Sequence, residues 1–169
     1  MAATAIFRKL HTLAKSQIST ADLLIQNKPI EPTNTSWTPH QILQHIANSQ
    51  AGTLKVMAWK KDKGDYKDIP LSHKFNFFML RLFFRFNLKT KAPNVLPEPT
   101  EETSLEVLKE MLAEQHKEFE IAIGELSKEH IKKAVFRHPF TGLMDASMTV
   151  QFLRLHWEHH RKQIINRMQ

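Results

Sequence analysis

Helical repeats of apolar residues constrain the fold of this chain more than any other feature of its sequence. Residues 4–27 place apolar side chains three and four positions apart, which is the spacing of one helix face. The same spacing returns in 42–57, in 105–126 and in 147–169. Only four glycines are present, and a β-rich chain would need more of them for its tight turns. The pattern predicts an all-α protein built as a four-helix bundle.

Two of the predicted helices have recognisable start signals. Thr38, Pro39 and Gln41 form a Thr-x-x-Gln capping box with proline at the first helical position. Thr103 and Glu106 have the spacing of a second capping box. We therefore expect the second helix to begin directly after Thr38 and the third to begin directly after Thr103.

The connection between the second and third predicted helices is long. Residues 65–102 permit a crossover, so these two helices can run parallel within a single domain of residues 1–169. The link contains the phenylalanine-rich segment 75–86, which is too short and, with Arg81 and Arg85, too charged for a membrane span. We interpret it as a short helix packed over the bundle, and we expect no transmembrane segment. A homodimer face, an apolar lid over a pocket and a membrane-surface helix are the alternatives.

Charge and composition narrow the choice of partner and compartment. The formal charge of +7 favours an anionic partner, but lysine and arginine are spread along the chain and no nucleic-acid-binding signature is present. We therefore expect no specific nucleic-acid partner. The chain has no cysteine, which excludes disulfides, thiolate metal ligands and a cysteine nucleophile. The first residues, MAATAIFRKLHTLAK, lack the apolar region of a signal peptide, so we expect a cytoplasmic protein.

The chain contains ten histidines, which are the main candidates for metal binding or acid–base catalysis. His11, His73, His116 and His130 have charged or polar neighbours, and we expect them to be solvated. His45 differs, because it occupies a position where the helical pattern requires an apolar residue. A single histidine in such a position is usually a core residue that is hydrogen-bonded to a backbone or hydroxyl group.

Two further histidines share the apolar face of the last predicted helix. His156 and His160 are four residues apart, so they lie on one face, about 6 Å apart along the axis. Such a pair can chelate one divalent ion, as in the zinc-protease helix motif. In that motif a glutamate directly follows the first histidine, whereas Glu158 is two residues on and about 200° around the helix. A metalloprotease is therefore disfavoured. His159 lies about 100° from His160, and we expect it at the rim or in solvent.

Buried imidazoles require either hydrogen-bond partners or a metal ion. Three of them in a bundle core are costly unless each nitrogen is satisfied and protonation is suppressed. A divalent ion meets both requirements, and three neutral ligands leave a coordination position open for water or substrate. Three ordinary core histidines without a metal are the alternative interpretation.

Two segments of the sequence carry a family resemblance. SWTPHQILQHIANS has a Trp-[Ser/Thr]-Pro entry into the second helix, followed by a His-[Ile/Leu] pair. HPFTGLMDASMTVQFLRLHWEHHRKQI has a histidine-containing loop, a glycine, a threonine-rich helix start and His-x-x-x-His. In both, the chain resembles the DinB/YfiT-like superfamily of metal-binding four-helix bundles. The resemblance implies a bundle with a long crossover and a divalent metal, such as nickel or zinc, on His45, His156 and His160. Some relatives are thiol-dependent transferases or isomerases, and many have no known activity.

Three functional hypotheses follow from these observations. A metal-dependent hydrolase or thiol-dependent S-transferase would use the ion to activate a water or a low-molecular-weight thiol against a small-molecule substrate. We expect Ser49 and Trp157 to line its pocket, and His138, in the loop before the last helix, is the candidate acid or base. A non-catalytic metal-binding or stress-response protein and a metal-free structural module are the other two. Nitrogen ligands suit zinc, nickel, iron or copper, and zinc and nickel are the first candidates.

Overall fold

Five α-helices make up most of the regular structure. The computed structural model describes residues 2–27, 37–86, 98–100 and 102–168. Its elements are α1 (Ala2–Gln26), α2 (Pro39–Lys63), α3 (Leu71–Arg85), α4 (Leu105–Gly124), a 3₁₀ helix (His130–Lys132), β1 (Phe136–His138), β2 (Gly142–Met144) and α5 (Ala146–Asn166). The prediction of an all-α protein is confirmed. The single domain of 1–169 stays a prediction.

Four of the helices enclose the core. α1 packs against α4 and α5, and α2 packs against the same two helices. The helices α1 and α2 follow each other in sequence but lie diagonally across the bundle, where they make fewer contacts with each other than with α4 and α5. Fully buried side chains come from all four helices, among them Leu10, Ile42, Phe119 and Trp157. The predicted helical bundle is therefore present.

The start of α2 forms as its sequence predicts. The backbone N–H of Gln41 donates to the Thr38 hydroxyl over 3.0 Å, and the Gln41 side chain accepts from the Thr38 N–H over 2.9 Å. Gly64 ends the helix with a φ of 61°, a conformation that costs glycine little. These two signals set where α2 begins and ends.

The start of α4 differs from the prediction by one residue. Ser104, and not Thr103, caps the helix, and its hydroxyl accepts from the N–H of Val107 over 3.3 Å. Thr103 is hydrogen-bonded to α2 instead. The Thr103 hydroxyl accepts from the side chain of Gln44, and the Thr103 carbonyl accepts from the imidazole of His40. The predicted Thr103–Glu106 capping box is therefore wrong.

The phenylalanine-rich segment is helical and packs over the bundle, as interpreted. α3 lies against α5 and β2, and Phe77 is its buried side chain. The predicted link of 65–102 thus contains a fifth helix, and its residues 87–97 and 101 lie outside the described residues. Within the ranges that the structure describes, no helix has both the length and the apolar character needed to cross a membrane.

The loop expected before the last helix contains a short β-hairpin. Phe136 pairs with Met144, and His138 pairs with Gly142. His73 of α3 packs onto this hairpin, where its Nδ1 accepts from the N–H of Leu143 over 3.1 Å. His73 is half-buried, so its predicted solvation is wrong. A β-carbon at residue 142 would lie 2.8 Å from the His73 ring, so this close approach requires glycine.

Two more histidines predicted to be solvated are not. His116 is buried in the core, and its Nε2 donates to the side-chain oxygen of Gln17 over 2.7 Å. His130 is half-buried and stacks on Tyr66 with 4.1 Å between ring centroids. Only His11 of the four is exposed. The prediction rested on the polar neighbours of each histidine along the chain. It failed because the side chains that pack against these histidines lie on other elements.

Candidate metal centre

Three imidazoles from two helices converge beneath α3. His45 lies in the second turn of α2, and His156 and His160 lie one turn apart on α5, which packs against α2. One ligand nitrogen from each of the three lies within 4.8 Å of the other two. The Nε2 atoms of His45 and His156 are 3.2 Å apart. The helix faces therefore bring together side chains that are far apart in sequence.

Burial keeps all three imidazoles neutral. It lowers the pKa of His45 to about 4. Burial, followed by the neighbouring His45, lowers the pKa of His160 to about 3, although the hydrogen bond that His160 donates to Gln163 opposes this shift. Burial and then the two other imidazoles hold the pKa of His156 well below its usual value. Neutral imidazole has the nitrogen lone pair that metal ligation requires.

The arrangement fits a divalent ion with nitrogen ligands. Tetrahedral zinc with ordinary Zn–N bonds places its ligand nitrogens about 3.3 Å apart. The 3.2 Å between the nitrogens of His45 and His156 is close to that spacing, and the third nitrogen lies within 4.8 Å. No acidic side chain belongs to the group that the described residues form here. The donor set is therefore that of a three-histidine site.

Hydrogen bonds around the centre orient one of its imidazoles. Gln163 lies one turn after His160, and its side-chain oxygen accepts from the His160 Nδ1–H over 2.9 Å. The Nε2 of His160 consequently keeps its lone pair. Such outer contacts hold a metal ligand in the required tautomer and orientation. The sequence analysis did not identify Gln163, although its spacing from His160 was a usable signal.

Aromatic rings form the walls of the centre. Trp37 lies 5.0 Å from His45, and Phe152 stacks on His156 with 5.4 Å between centroids. Phe84 of α3 covers the site, with its centroid 6.2 Å from that of His156. These rings lower the local polarity around the buried His45 and the half-buried His156 and His160, which strengthens electrostatic interactions in the site.

His138 lies next to the centre but not within it. Its ring centroid is 4.6 Å from that of Phe152, and Phe152 also contacts His156. The Nδ1 of His138 accepts from the N–H groups of Phe140 and Thr141, so the proton of the neutral ring sits on Nε2. Burial lowers the pKa of His138 to about 4. The side chain is thus arranged as a neutral hydrogen-bond donor.

The two expected pocket residues have different surroundings. Ser49 is half-buried one turn after His45, on the same helix. Trp157 is fully buried, and its indole N–H donates to the hydroxyl of Ser16 over 2.9 Å. The indole is therefore held on the α1 side of α5. The pocket roles of Ser49 and Trp157 stay predictions.

The chain also matches a known protein family over a range that includes the residues of this site. The family model described as the DinB superfamily matches residues 9–164, nearly the whole chain. The chain belongs to the DinB superfamily. This confirms the family resemblance of the two segments, and the DinB-superfamily match includes all three clustered histidines. No curated protein and no solved structure gives a significant match to the chain.

Proposed function

We propose that this DinB-superfamily protein binds a divalent metal ion, zinc or nickel, through His45, His156 and His160. We further propose that it is an enzyme that catalyses a hydrolysis or a thiol transfer on a small molecule. The observation that supports the proposal is the convergence of three neutral imidazoles within 4.8 Å. An ion held there would supply Lewis acidity toward a water molecule or a thiol.

The surrounding side chains have definite roles in this proposal. Gln163 orients the imidazole of His160, and Phe84 and Phe152 form apolar walls beside His156. His138 offers its Nε2–H to a substrate atom and, while neutral, has no free lone pair for use as a base, because Nδ1 is occupied by two backbone N–H groups. This restricts the candidate acid–base residue to hydrogen-bond donation, because a neutral imidazole is too weak an acid to give up its remaining proton.

Metal content tests the site directly. Protein purified without a nickel resin is loaded with zinc or nickel, dialysed and measured by elemental mass spectrometry, together with His45→Ala, His160→Ala and the control His11→Ala. We expect one bound ion in the wild type and in the control, and loss of the ion in the two ligand variants. Unchanged metal content in either ligand variant would show that the three-histidine site is wrong.

Turnover is tested with the same proteins. The metal-loaded wild type is incubated with low-molecular-weight thiols and electrophiles, and separately with small hydrolysable esters and amides. Product that forms with the wild type and not with His45→Ala supports catalysis at the centre. Product that forms equally with both proteins contradicts it.

Metal binding without catalysis is the second candidate function. It is favoured by the position of Phe84, whose ring lies over His156 and His159. A groove of about 600 Å³ lies instead between α2 and α4, lined by residues such as Met57 and Met111. A tightly bound ion without turnover on any substrate would favour this second function.

A further inference from the structure

The outer face of α3 is apolar, although it points to solvent. Leu71, Phe75, Phe78 and Met79 are exposed by 81, 61, 50 and 47%. At 100° per residue these four side chains fall within an arc of about 100°. The buried Phe77 lies about 200° from Phe75. α3 therefore has one apolar side against the bundle and a second apolar side facing away from it.

A basic flank runs beside this outer face. Lys74, Arg81 and Arg85 are exposed and lie within an arc of about 40° next to the apolar side chains. No carboxylate among the described residues lies within ion-pair distance of any of the three. In the sequence, no acidic residue occurs from 69 to 97, although the chain holds 17 in total. Cations and exposed aromatic rings are thus concentrated on one surface.

We propose that the outer face of α3 docks on the surface of a bilayer that contains anionic lipids. Phenylalanine and leucine side chains enter the boundary between headgroups and acyl chains, while neighbouring lysine and arginine side chains pair with lipid phosphates. The helix has 15 residues and is about 22 Å long, shorter than the ~30 Å hydrocarbon core. It therefore lies along the bilayer surface and does not cross it.

Charge complementarity favours this partner over a second copy of the chain. A two-fold dimer contact must be self-complementary, because the same patch meets itself. The face of α3 has three cations and no acidic side chain, so pairing two copies brings like charges together without compensation. An anionic lipid surface supplies the opposite charge along the whole flank.

Vesicle sedimentation tests the proposal with the full chain. Wild-type protein is mixed with vesicles of phosphatidylcholine alone and with vesicles of phosphatidylcholine and phosphatidylglycerol. We expect sedimentation with the anionic vesicles only, weakened by added salt because the headgroup attraction is screened. Protein that stays in the supernatant with both vesicles, or that binds both equally, overturns the proposal.

Substitutions on α3 assign the contact to this face. Phe75→Ser with Phe78→Ser should weaken binding roughly tenfold or more. Replacing Lys74, Arg81 and Arg85 by glutamine should weaken it about fivefold for each cation. The matched apolar control is Trp59→Ser with Ile121→Ser, which are exposed by 53 and 61% on α2 and α4. Circular dichroism confirms that each variant is folded.

Three results of the substitution experiment decide between the partners. Reduced binding of both α3 variants, with the control unchanged, supports docking through α3. Equal loss in the control overturns the assignment to this face. A dimer in sedimentation velocity that disappears in the Phe75→Ser, Phe78→Ser variant, without vesicle binding by the wild type, identifies a second copy as the partner instead.

Discussion

Gln163 and His159 are joined by a hydrogen bond, with 3.1 Å between the amide nitrogen and the imidazole Nε2. The amide oxygen of the same glutamine pairs with Nδ1 of His160. An amide nitrogen can only donate and an amide oxygen can only accept. One glutamine therefore fixes the tautomers of two adjacent histidines, of which one belongs to the candidate metal centre and the other lies beside it.

Replacing this glutamine should weaken metal binding without unfolding the protein. We expect Gln163→Leu to lower the affinity for zinc or nickel by about 10- to 100-fold, because His160 loses the group that orients it. Titration against a competing chelator measures the affinity. Gln151→Leu, on the same helix and hydrogen-bonded to Ser147, is the matched control. Equal affinities in the wild type and Gln163→Leu would contradict the orienting role.

Removing the ring that covers the centre should speed the exchange of metal. Phe84 contacts both His156 and His159 through its ring, so Phe84→Ala opens a path for solvent and chelator. We expect faster release of the ion to excess chelator, followed by stopped-flow absorbance, with little change in helix content. Phe78→Ala, on the outer face of α3, should release the ion at the wild-type rate. A similar increase in both variants would indicate general loosening of α3 and not removal of a cover.

Trp157 should contribute to stability and not to metal affinity. Trp157→Phe loses the hydrogen bond to Ser16 and leaves a small cavity in a fully buried position. We expect the free energy of unfolding in urea to fall by about 1–3 kcal/mol. Ser16→Ala removes the same bond, and combining the two changes should cost less than the sum of their separate effects. A lower metal affinity in Trp157→Phe would instead favour the predicted pocket role.

The buried His116 should make stability fall in acid. Burial lowers its pKa to about 4 in the folded protein, whereas an unfolded chain has a histidine pKa near 6.5. The stability that the neutral His116 contributes to the folded protein is complete above pH 6.5. It is lost as the pH falls toward 4, because the unfolded state binds the proton more readily. The free energy of unfolding should fall by about 3 kcal/mol over that pH range.

A variant without the titrating group isolates this effect. The free energy of unfolding is measured against pH for the wild type and for His116→Gln. We expect their difference to be constant above pH 7 and to shift in favour of the variant as the pH falls toward 4. His11→Gln, at an exposed position of α1, is the control. The same pH-dependent difference in His11→Gln would show that His116 is not its source.

The sequence predicted the packing of helix faces more accurately than it predicted the surroundings of individual side chains. Periodicity placed His45, His156 and His160 on apolar faces, and packing of α2 against α5 brought them together. His116 was missed although it is four residues after Leu112 and three before Phe119, both of them core residues. Its polar neighbours were given more weight than its helical position.

Other features could not follow from local patterns. The strands of the hairpin have three residues each, too few to establish an alternating pattern. The spacing of Trp157 placed it near the histidine face but could not tell which neighbouring helix its indole contacts. Ser104 caps α4 because Thr103 is hydrogen-bonded to side chains of α2. A contact between separate helices cannot be predicted from one segment of sequence.

His45 and His156 are separated by 111 residues along the chain. An ion shared between them would close a loop through most of the polypeptide and act as a reversible cross-link. Unlike a disulfide, such a link is released when the chain unfolds, so it stabilises the fold by an amount that grows with the free metal concentration, about 4 kcal/mol at a thousand times the Kd. The chain has no cysteine with which to form a disulfide. The equilibrium stability of the folded bundle would then follow the supply of metal.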